Sequence, residues 1–161
     1  MTIYAFEAQE SWLPTVIGMS CTAIDYDYEA NALTLSFNRA GYGAESGSLE
    51  AERMISLSGV WRLEQEDEVL AASGDVEDPE RQAHLERLTG RELVRVDVSH
   101  PGYDLVLHLT GPYIVRCFPC DSLQFGEDPP DDDVYVSWWV DGVGVPQDWE
   151  EPNEAFFSRK G

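Results

Sequence analysis

Lysine, cysteine and long apolar runs are all scarce in this sequence. Lys160 is the only lysine beside nine arginines, three cysteines occur in 161 residues, and no apolar run approaches the length of a membrane span. Small secreted domains usually pair their cysteines, so an odd number indicates reduced thiols. The first residues, MTIYAFEAQESWLP, have neither a basic leader nor an apolar signal stretch. We therefore expect a cytoplasmic protein that does not contact a membrane.

Negative charge is the strongest compositional signal. Asp and Glu number 31 against 10 Lys and Arg, which gives a formal net charge of -21. Such a chain repels nucleic acid and anionic lipid and attracts cationic proteins, which excludes direct binding of DNA or RNA. The alternative is that the charge only keeps the protein soluble, as codon bias or a high-salt habitat would also produce.

Sequence patterns that identify an enzyme are absent. No nucleophile elbow, phosphate loop or dinucleotide fingerprint occurs, and His84, His100 and His108 do not have the spacing of a metal site. Carboxylates are so numerous that any two could be nominated as acid and base, so such a pair carries no information. We expect no catalytic residues, no metal and no cofactor.

Two short stretches resemble ligand sites but have simpler interpretations. CFPC at 117–120 has the spacing of a redox or zinc half-site, but no second pair follows and Cys21 is the only other thiol. Acidic residues alternate from Asp25 as in a calcium loop, but Ala30 replaces the required glycine and Ser36 the required glutamate. Structural cysteines and a hairpin turn explain these stretches better.

An internal similarity organises the chain. Segments 17–37 and 89–109 align without a gap, with Gly18 against Gly90 and Asp25 against Asp97. Each contains an alternating stretch, a turn-rich spacer and a second alternating stretch, which is typical of a β-hairpin with one buried face. The alternation predicts inward Leu33, Leu35, Phe37, Leu105, Leu107 and Leu109, and outward Thr34, Ser36 and His108.

The similarity extends over most of a single domain spanning 1–161. We predict repeats at 17–63 and 89–120, each ending in a third strand, at 54–63 and 113–120 respectively. A short helix with Asp78 as N-cap, Pro79 in its first turn and Gly90 as terminator joins them. A strand around 134–140 lies within an acidic C-terminal part, 127–161. The fold class is α+β, mainly antiparallel β, with two repeated hairpin or meander units joined by one short helix.

The order of these residues suggests a family. The sequence resembles small uncharacterised bacterial domains built from a duplicated β unit. The resemblance lies in the order of a Gly, an Asp-Tyr pair, LTLSF and ISLSGVWRL, followed by a second copy that ends in a Trp-bearing strand. Similar acidic proteins are encoded beside polymorphic toxins and are regarded as their immunity proteins. The resemblance implies a cationic protein partner and transfers no catalytic residue.

The acidic aromatic stretch at 129–152 is the candidate binding surface. Alternation in VYVSWWV places Trp138 on one face and Trp139 on the other. Trp139 is then either covered by the C-terminal tail or an exposed aromatic anchor surrounded by carboxylates. In the second interpretation the partner-binding residues are Asp131, Asp132, Asp133, Tyr135, Trp139, Asp141, Asp148, Trp149, Glu150 and Glu151.

The sequence therefore predicts a non-enzymatic acidic protein that neutralises a basic partner, such as a nuclease-like toxin. One alternative is a DNA mimic that inhibits a nucleic-acid-binding protein. Another is a small-molecule-binding domain or enzyme with a cavity between the β units. The oligomeric state has no signature in the sequence.

Overall fold

Antiparallel β-strands dominate the computed structural model, which describes residues 9–41, 51–58, 60–74, 78–100, 102–118, 138–143 and 145. Within these ranges a 3-10 turn at Leu13–Val16 precedes the first strand. The other elements are β1 (Ser20–Asp27), β2 (Ala32–Asn38), β3 (Arg53–Ser58), β4 (Val60–Gln65), β5 (Glu68–Ala72), α1 (Pro79–Glu86), β6 (Leu93–Ser99), β7 (Asp104–Leu109), β8 (Tyr113–Phe118) and β9 (Trp138–Gly142).

The strands form two antiparallel sheets. The four-stranded sheet has the order β1-β2-β3-β9, and the five-stranded sheet has the order β5-β4-β8-β7-β6. β4 follows β3 directly but pairs with β8, whereas β9 follows β8 in the chain but pairs with β3. The chain thus crosses between the sheets after β3 and again after β8. This confirms the mainly antiparallel β class.

The segment 54–63, predicted as one strand, is two strands in different sheets. β3 ends at Ser58 and β4 begins at Val60, and β5, which pairs with β4, was not predicted at all. Alternation cannot reveal this crossing, because the inward positions keep the same parity through Leu57 and Trp61. The strand predicted from 134 is described only from Trp138, since 134–137 lie outside the described residues.

The inward side chains of both sheets form one hydrophobic cluster. All six inward leucine and phenylalanine positions predicted from the alternation are buried, and the side chain of His108 on the opposite face of β7 is 25% exposed. Trp61 on β4 and Trp138 on β9 are buried at the two crossing strands. Burial of apolar side chains such as these contributes roughly 1.5–3 kcal/mol each.

The pairs β1/β2 and β6/β7 have matching registers. Asp25 lies opposite Thr34 in the first pair, and Asp97 lies opposite Val106 in the second. Each pair also has an irregularity at the start of its first strand, between Cys21 and Ala23 in one and between Leu93 and Arg95 in the other. Each residue named in the β1/β2 pair is separated from its counterpart in the β6/β7 pair by the same number of residues as in the sequence alignment.

Backbone hydrogen bonds join the two sheets at one corner, where β1 and β6 begin. Gly18 donates to Leu93 at 2.8 Å, and Gly90 donates to Cys21 at 2.7 Å. Two further bonds run from Cys21 to Arg91 at 2.7 Å and from Leu93 to Met19 at 2.9 Å. Gly18 and Gly90 have φ of 94° and 87°, a region that glycine enters without strain.

Helix α1 begins as the sequence predicts. The Asp78 side chain accepts a hydrogen bond from the Glu80 backbone at 3.0 Å, and Pro79 occupies the first turn. Leu85 is buried, and Arg81 donates to the Leu70 carbonyl of β5 at 2.6 Å, so the helix is attached to the edge of the five-stranded sheet. No helix in the described part of the chain is long and apolar enough to cross a membrane.

The end of β9 lies directly against the start of β3. Gly142 has a φ of 135°, and a Cβ added there would overlap the Glu52 carbonyl oxygen and approach the Arg53 Cα to 2.9 Å. The backbone of Val143 then donates to the same Glu52 carbonyl at 3.2 Å. Only glycine allows the two backbones this close approach.

Replacing Gly142 with alanine should therefore lower the free energy of unfolding by about 2 kcal/mol or more, because the Cβ clashes with backbone and the φ is unfavourable. Urea denaturation measures the change. Gly102→Ala is the matched control, because the nearest atom to its added Cβ is a side-chain oxygen at 3.9 Å. Equal stability of the two variants would contradict this packing.

Candidate functional site

The structure describes two of the predicted partner-binding residues, Trp139 and Asp141, both on β9. Trp138 is fully buried between the sheets, whereas Trp139 is partly exposed on the opposite face, as the alternation predicts. The remaining predicted residues lie outside the described residues, namely Asp131, Asp132, Asp133, Tyr135, Asp148, Trp149, Glu150 and Glu151.

Trp139 and Asp141 belong to the outer face of the four-stranded sheet, the face turned away from the core. Across the strands, one row runs Asp25, Thr34, Ser56, Trp139. The neighbouring row runs Ala23, Ser36, Met54, Asp141. We call this surface the acidic face, because the outward positions described on its strands include Asp25, Asp27 and Asp141 but no lysine, arginine or histidine.

Small side chains leave a pocket of about 510 Å³ at one end of the acidic face. It occupies the row that contains Ser36 and Met54 and is bounded at the end of β9 by Gly142. The wall has an apolar part, formed by Ala23, Ala51, Met54 and Val143, and a polar part, formed by Thr22, Ser36, Asn38 and Asp141. The pocket lies outside the sheets, whereas the expected alternative was a cavity between the β units.

Hydrogen bonds make the polar wall rigid. The Asn38 amide donates to the Thr22 hydroxyl at 2.7 Å, and the Asn38 carbonyl oxygen accepts from the Glu52 backbone at 2.7 Å. Asp141 accepts from the Gly142 backbone at 2.6 Å through Oδ1. The sequence analysis placed Ser36 outward but did not identify a pocket, because its walls come from four strands.

A buried carboxylate supports the pocket from behind. Glu52 is 5% exposed and pairs with Arg39 at 2.5 Å. Burial opposes ionisation of Glu52, but hydrogen bonds from Arg39 and the charges of Arg39 and Arg53 outweigh it and lower the pKa of this carboxyl. Glu52 is therefore ionised at neutral pH, and Arg39 is engaged with it.

The outer face of the five-stranded sheet has a different character. Arg62 and Arg116 both bond to Glu64, at 2.8 and 2.6 Å, and Arg95 and His108 both contact Asp97. Burial opposes ionisation of Glu64, but hydrogen bonds from the two arginines outweigh it and lower its pKa. Long charged side chains thus cover this face and pair with one another.

The cysteines do not form a reactive or metal-binding site in the described residues. Cys21 and Cys117 are both buried, and burial raises the pKa of the Cys21 thiol to about 12. Cys120 of the CFPC stretch lies outside the described residues. A search of the described ranges finds no group of three or more His, Cys, Asp or Glu side chains that could hold a metal ion.

Comparison with known proteins gives no relative. The chain matches no protein-family model, no curated protein and no solved structure. Function has to be argued from the geometry and charge of the acidic face.

The two adjacent tryptophans should respond differently to truncation. Trp138→Ala should cost about 3–5 kcal/mol of stability, because it empties a core site and removes the bond from Trp138 Nε1 to the Tyr103 carbonyl at 2.9 Å. Trp139→Ala should cost clearly less, since its ring lies on the outer face. Thermal and urea unfolding of both variants compare them directly. A larger loss for Trp139 would make that ring structural and remove it from the candidate surface.

The Glu52–Arg39 pair should make stability depend on pH. Because the folded-state pKa of Glu52 is lowered, its contribution is present above the ordinary glutamate pKa of about 4.3 and disappears as pH falls through the lowered value. We expect Glu52→Gln to lower stability at neutral pH by about 1–3 kcal/mol and to flatten the acid limb. Exposed Glu29→Gln is the control, and unfolding measured from neutral to acid pH is the readout. Parallel acid limbs for wild type and Glu52→Gln would contradict this.

Proposed function

We propose that this chain is a non-enzymatic, cytoplasmic binding protein whose acidic face neutralises a cationic protein partner. An immunity protein that blocks a bacterial toxin is the specific role that we favour. The observation that carries the proposal is the composition of the acidic face: three outward carboxylates on the same sheet face as a partly exposed tryptophan, with no cation among the described outward residues. Aromatic rings contribute binding energy, and surrounding carboxylates steer a basic partner towards them.

The distribution of cations supports this proposal. Arg39 is paired with Glu52, Arg62 and Arg116 with Glu64, and Arg95 with Asp97. Four of the described arginines are therefore held by carboxylates, and no lysine, arginine or histidine occupies a described outward position of the acidic face. A purely solubilising charge would not require such segregation.

We also propose that the chain is an internal duplication with an approximate two-fold axis. The alignment matches Gly18 with Gly90 and Cys21 with Leu93. The hydrogen bond from Gly18 to Leu93 therefore corresponds to the one from Gly90 to Cys21, as two-fold symmetry requires. The crossing strands β4 and β9 obey the same relation. Trp138 lies opposite Leu57 of β3, and Trp61 lies opposite Cys117, the residue of β8 that corresponds to Leu57. The third and fourth strands thus belong to the repeat.

This duplication accounts for the contrast between the two outer faces. The positions equivalent to Ala23, Ser36 and Asp141 are Arg95, His108 and Glu64. The same place in the fold is therefore open in one half and filled by long paired side chains in the other. A surface that opens in only one of two equivalent places favours a binding role there.

A small-molecule-binding role is the second candidate, and the pocket of about 510 Å³ favours it. Its walls are on the outer face and its rim is exposed at Ala23 and Val143. A protein that lies across the acidic face would close this rim, which is why we place the protein partner first.

Association with the product of the adjacent gene tests the proposal. The on-rate should fall steeply as salt rises, because exposed charges are screened beyond about 8 Å at physiological ionic strength. Changing Asp131, Asp132 and Asp133 together to lysine should lower the on-rate further. Trp139→Ala and Trp149→Ala should instead raise the off-rate about thirtyfold, equivalent to about 2 kcal/mol, if each ring is an anchor.

Two results would assign the binding surface elsewhere or reject the role. A salt-independent on-rate would exclude steering by charge. Unchanged kinetics in the lysine and alanine variants would exclude these residues. Charge reversal of three exposed residues away from the acidic face, Glu68 on β5 and Glu80 and Glu86 on helix α1, provides the matched control for a change in net charge alone.

A further inference from the structure

Side chains cap the backbone of two of the four edge strands in the described sheets. On β9, the Gln9 side chain accepts a hydrogen bond from the Val140 N–H at 2.8 Å. On β5, Arg81 of α1 donates to the Leu70 carbonyl at 2.6 Å. Such caps protect an edge, because unpaired N–H and C=O groups can bind a strand of another molecule.

The edge of β6 has no cap of this kind in the described chain. At the end of the strand, the Ser99 carbonyl points towards the β6–β7 turn and accepts from the Tyr103 N–H at 2.6 Å. Backbone groups alternate in direction along an antiparallel strand, so Asp97 faces β7 while Val96 and Val98 direct their N–H and C=O groups to the open side. No hydrogen bond joins these groups of Val96 and Val98 to another described residue.

Side chains along this edge combine apolar and charged surface. Val96 and Val98 are only partly buried against the core, and Val94 is 49% exposed. On the outer face, Arg95 and Asp97 of the same strand form a salt bridge at 2.6 Å. Arg95 uses Nε and Nη2 for this contact, so Nη1 can donate to a further carboxylate, and Asp97 can accept more than these bonds.

An antiparallel copy of β6 fits this edge in one register. With Val96 opposite Val96 of a second copy, the open backbone groups of the two valines meet and can exchange both hydrogen bonds. Arg95 then lies opposite Asp97 of the second copy, in a pair whose side chains are close together. A register centred on Asp97 would instead place two carboxylates opposite each other, which is unfavourable.

The equivalent strand β1 lacks this complementarity. Ala23 and Asp25 occupy the positions that Arg95 and Asp97 occupy in β6. The same register on β1 would place Ala23 opposite Asp25, so the carboxylates would have no cation across the strands. Of these two equivalent edges, the one that suits a second copy of itself is β6.

We propose that β6 is a dimerisation edge, at which two copies of this chain pair antiparallel about Val96 and join their five-stranded sheets. The contact is isologous, since each copy contributes the same residues. A single pair of strands buries less than the roughly 1,200 Å² of a standard interface, and the net charge of -21 on each copy opposes association, so the dimer is weak. The backbone ladder and the valines hold it together, and Arg95 with Asp97 selects the register. This inference does not depend on the proposed function.

Sedimentation equilibrium of the full chain from about 10 µM to about 1 mM tests the edge. We expect a monomer–dimer equilibrium with a Kd of roughly 0.1–1 mM. Backbone amide resonances of Val96 and Val98 should shift with concentration, and that of Ile24 on β1 should not. A chain that stays monomeric at about 1 mM, or shifts confined to other residues, would overturn the assignment.

Arg95→Asp and Asp97→Arg test the register. Each variant alone places like charges opposite each other, so its homodimer should be at least about tenfold weaker than that of the wild type. In an equimolar mixture of the two variants, every facing pair again has opposite charges, and a heterodimer of nearly wild-type affinity should form. Arg87→Asp changes the net charge at an exposed position after α1 and is the control. A mixture without heterodimer would reject the register.

Val96→Pro removes the N–H at the centre of the contact. Proline is tolerated on an edge strand where the N–H faces solvent, so the monomer should fold, as circular dichroism and thermal unfolding would verify. The dimer should be lost. Ile24→Pro at the equivalent position of β1 is the matched control and should dimerise like the wild type. Dimerisation that survives Val96→Pro would overturn the proposal, and the charge variants decide it if a proline variant does not fold.

Salt separates this dimer from the proposed partner association. Screening reduces repulsion between two copies of net charge -21, so the dimer should strengthen severalfold from about 50 mM to about 300 mM salt. The on-rate of a cationic partner should fall over the same range. A dimer that weakened with salt would indicate contact between oppositely charged surfaces and would overturn the edge assignment. A dimer that behaves as expected, without salt-dependent partner association, would reject the proposed function alone.

Discussion

Each sheet of this protein is completed by a strand from the other half of the chain. β4 follows β3 of the four-stranded sheet in the chain but pairs with β8 of the five-stranded sheet. β9 follows β8 in the chain but pairs with β3 of the four-stranded sheet. Trp61 and Trp138 are carried across with these strands and become buried in the shared core. Neither sheet can therefore form its full set of pairings alone, and the buried side chains of both belong to one cluster. Such long-range pairing costs loop-closure entropy before it gains contacts.

The acidic face is a consequence of this exchange. β1, β2 and β3 supply small polar residues such as Thr34 and Ser56, while β9 brings Trp139 and Asp141 to them from far along the chain. The register of β9 decides which tryptophan faces outward, since a shift of one residue would exchange Trp138 with Trp139. The close approach of Gly142 to Glu52 fixes that register at the end of the strand.

Electrostatics then distinguishes two outer faces that have the same architecture. On the five-stranded sheet, Glu64 and Asp97 each serve two basic partners, so charge is balanced locally. On the four-stranded sheet the described outward positions carry carboxylates but no lysine, arginine or histidine, and small side chains leave space above the strands. A net charge of -21 adds a long-range attraction for cations to this local arrangement.

The sequence by itself determined the local features. Alternation identified the inward leucines and the outward Trp139, and the Asp78–Pro79 pair identified the start of α1, because these signals depend on neighbouring residues along one element. It could not reveal the break between Ser58 and Val60, the strand β5 or the pocket, since the parity of inward residues continues unchanged through the crossing. Only the tertiary structure decided which strand lies beside which, and that pairing alone brings Ala23, Ser36, Met54 and Asp141 into one row. Four residues from four strands can form a binding surface only after long-range pairing, whose energetics no short stretch of sequence contains.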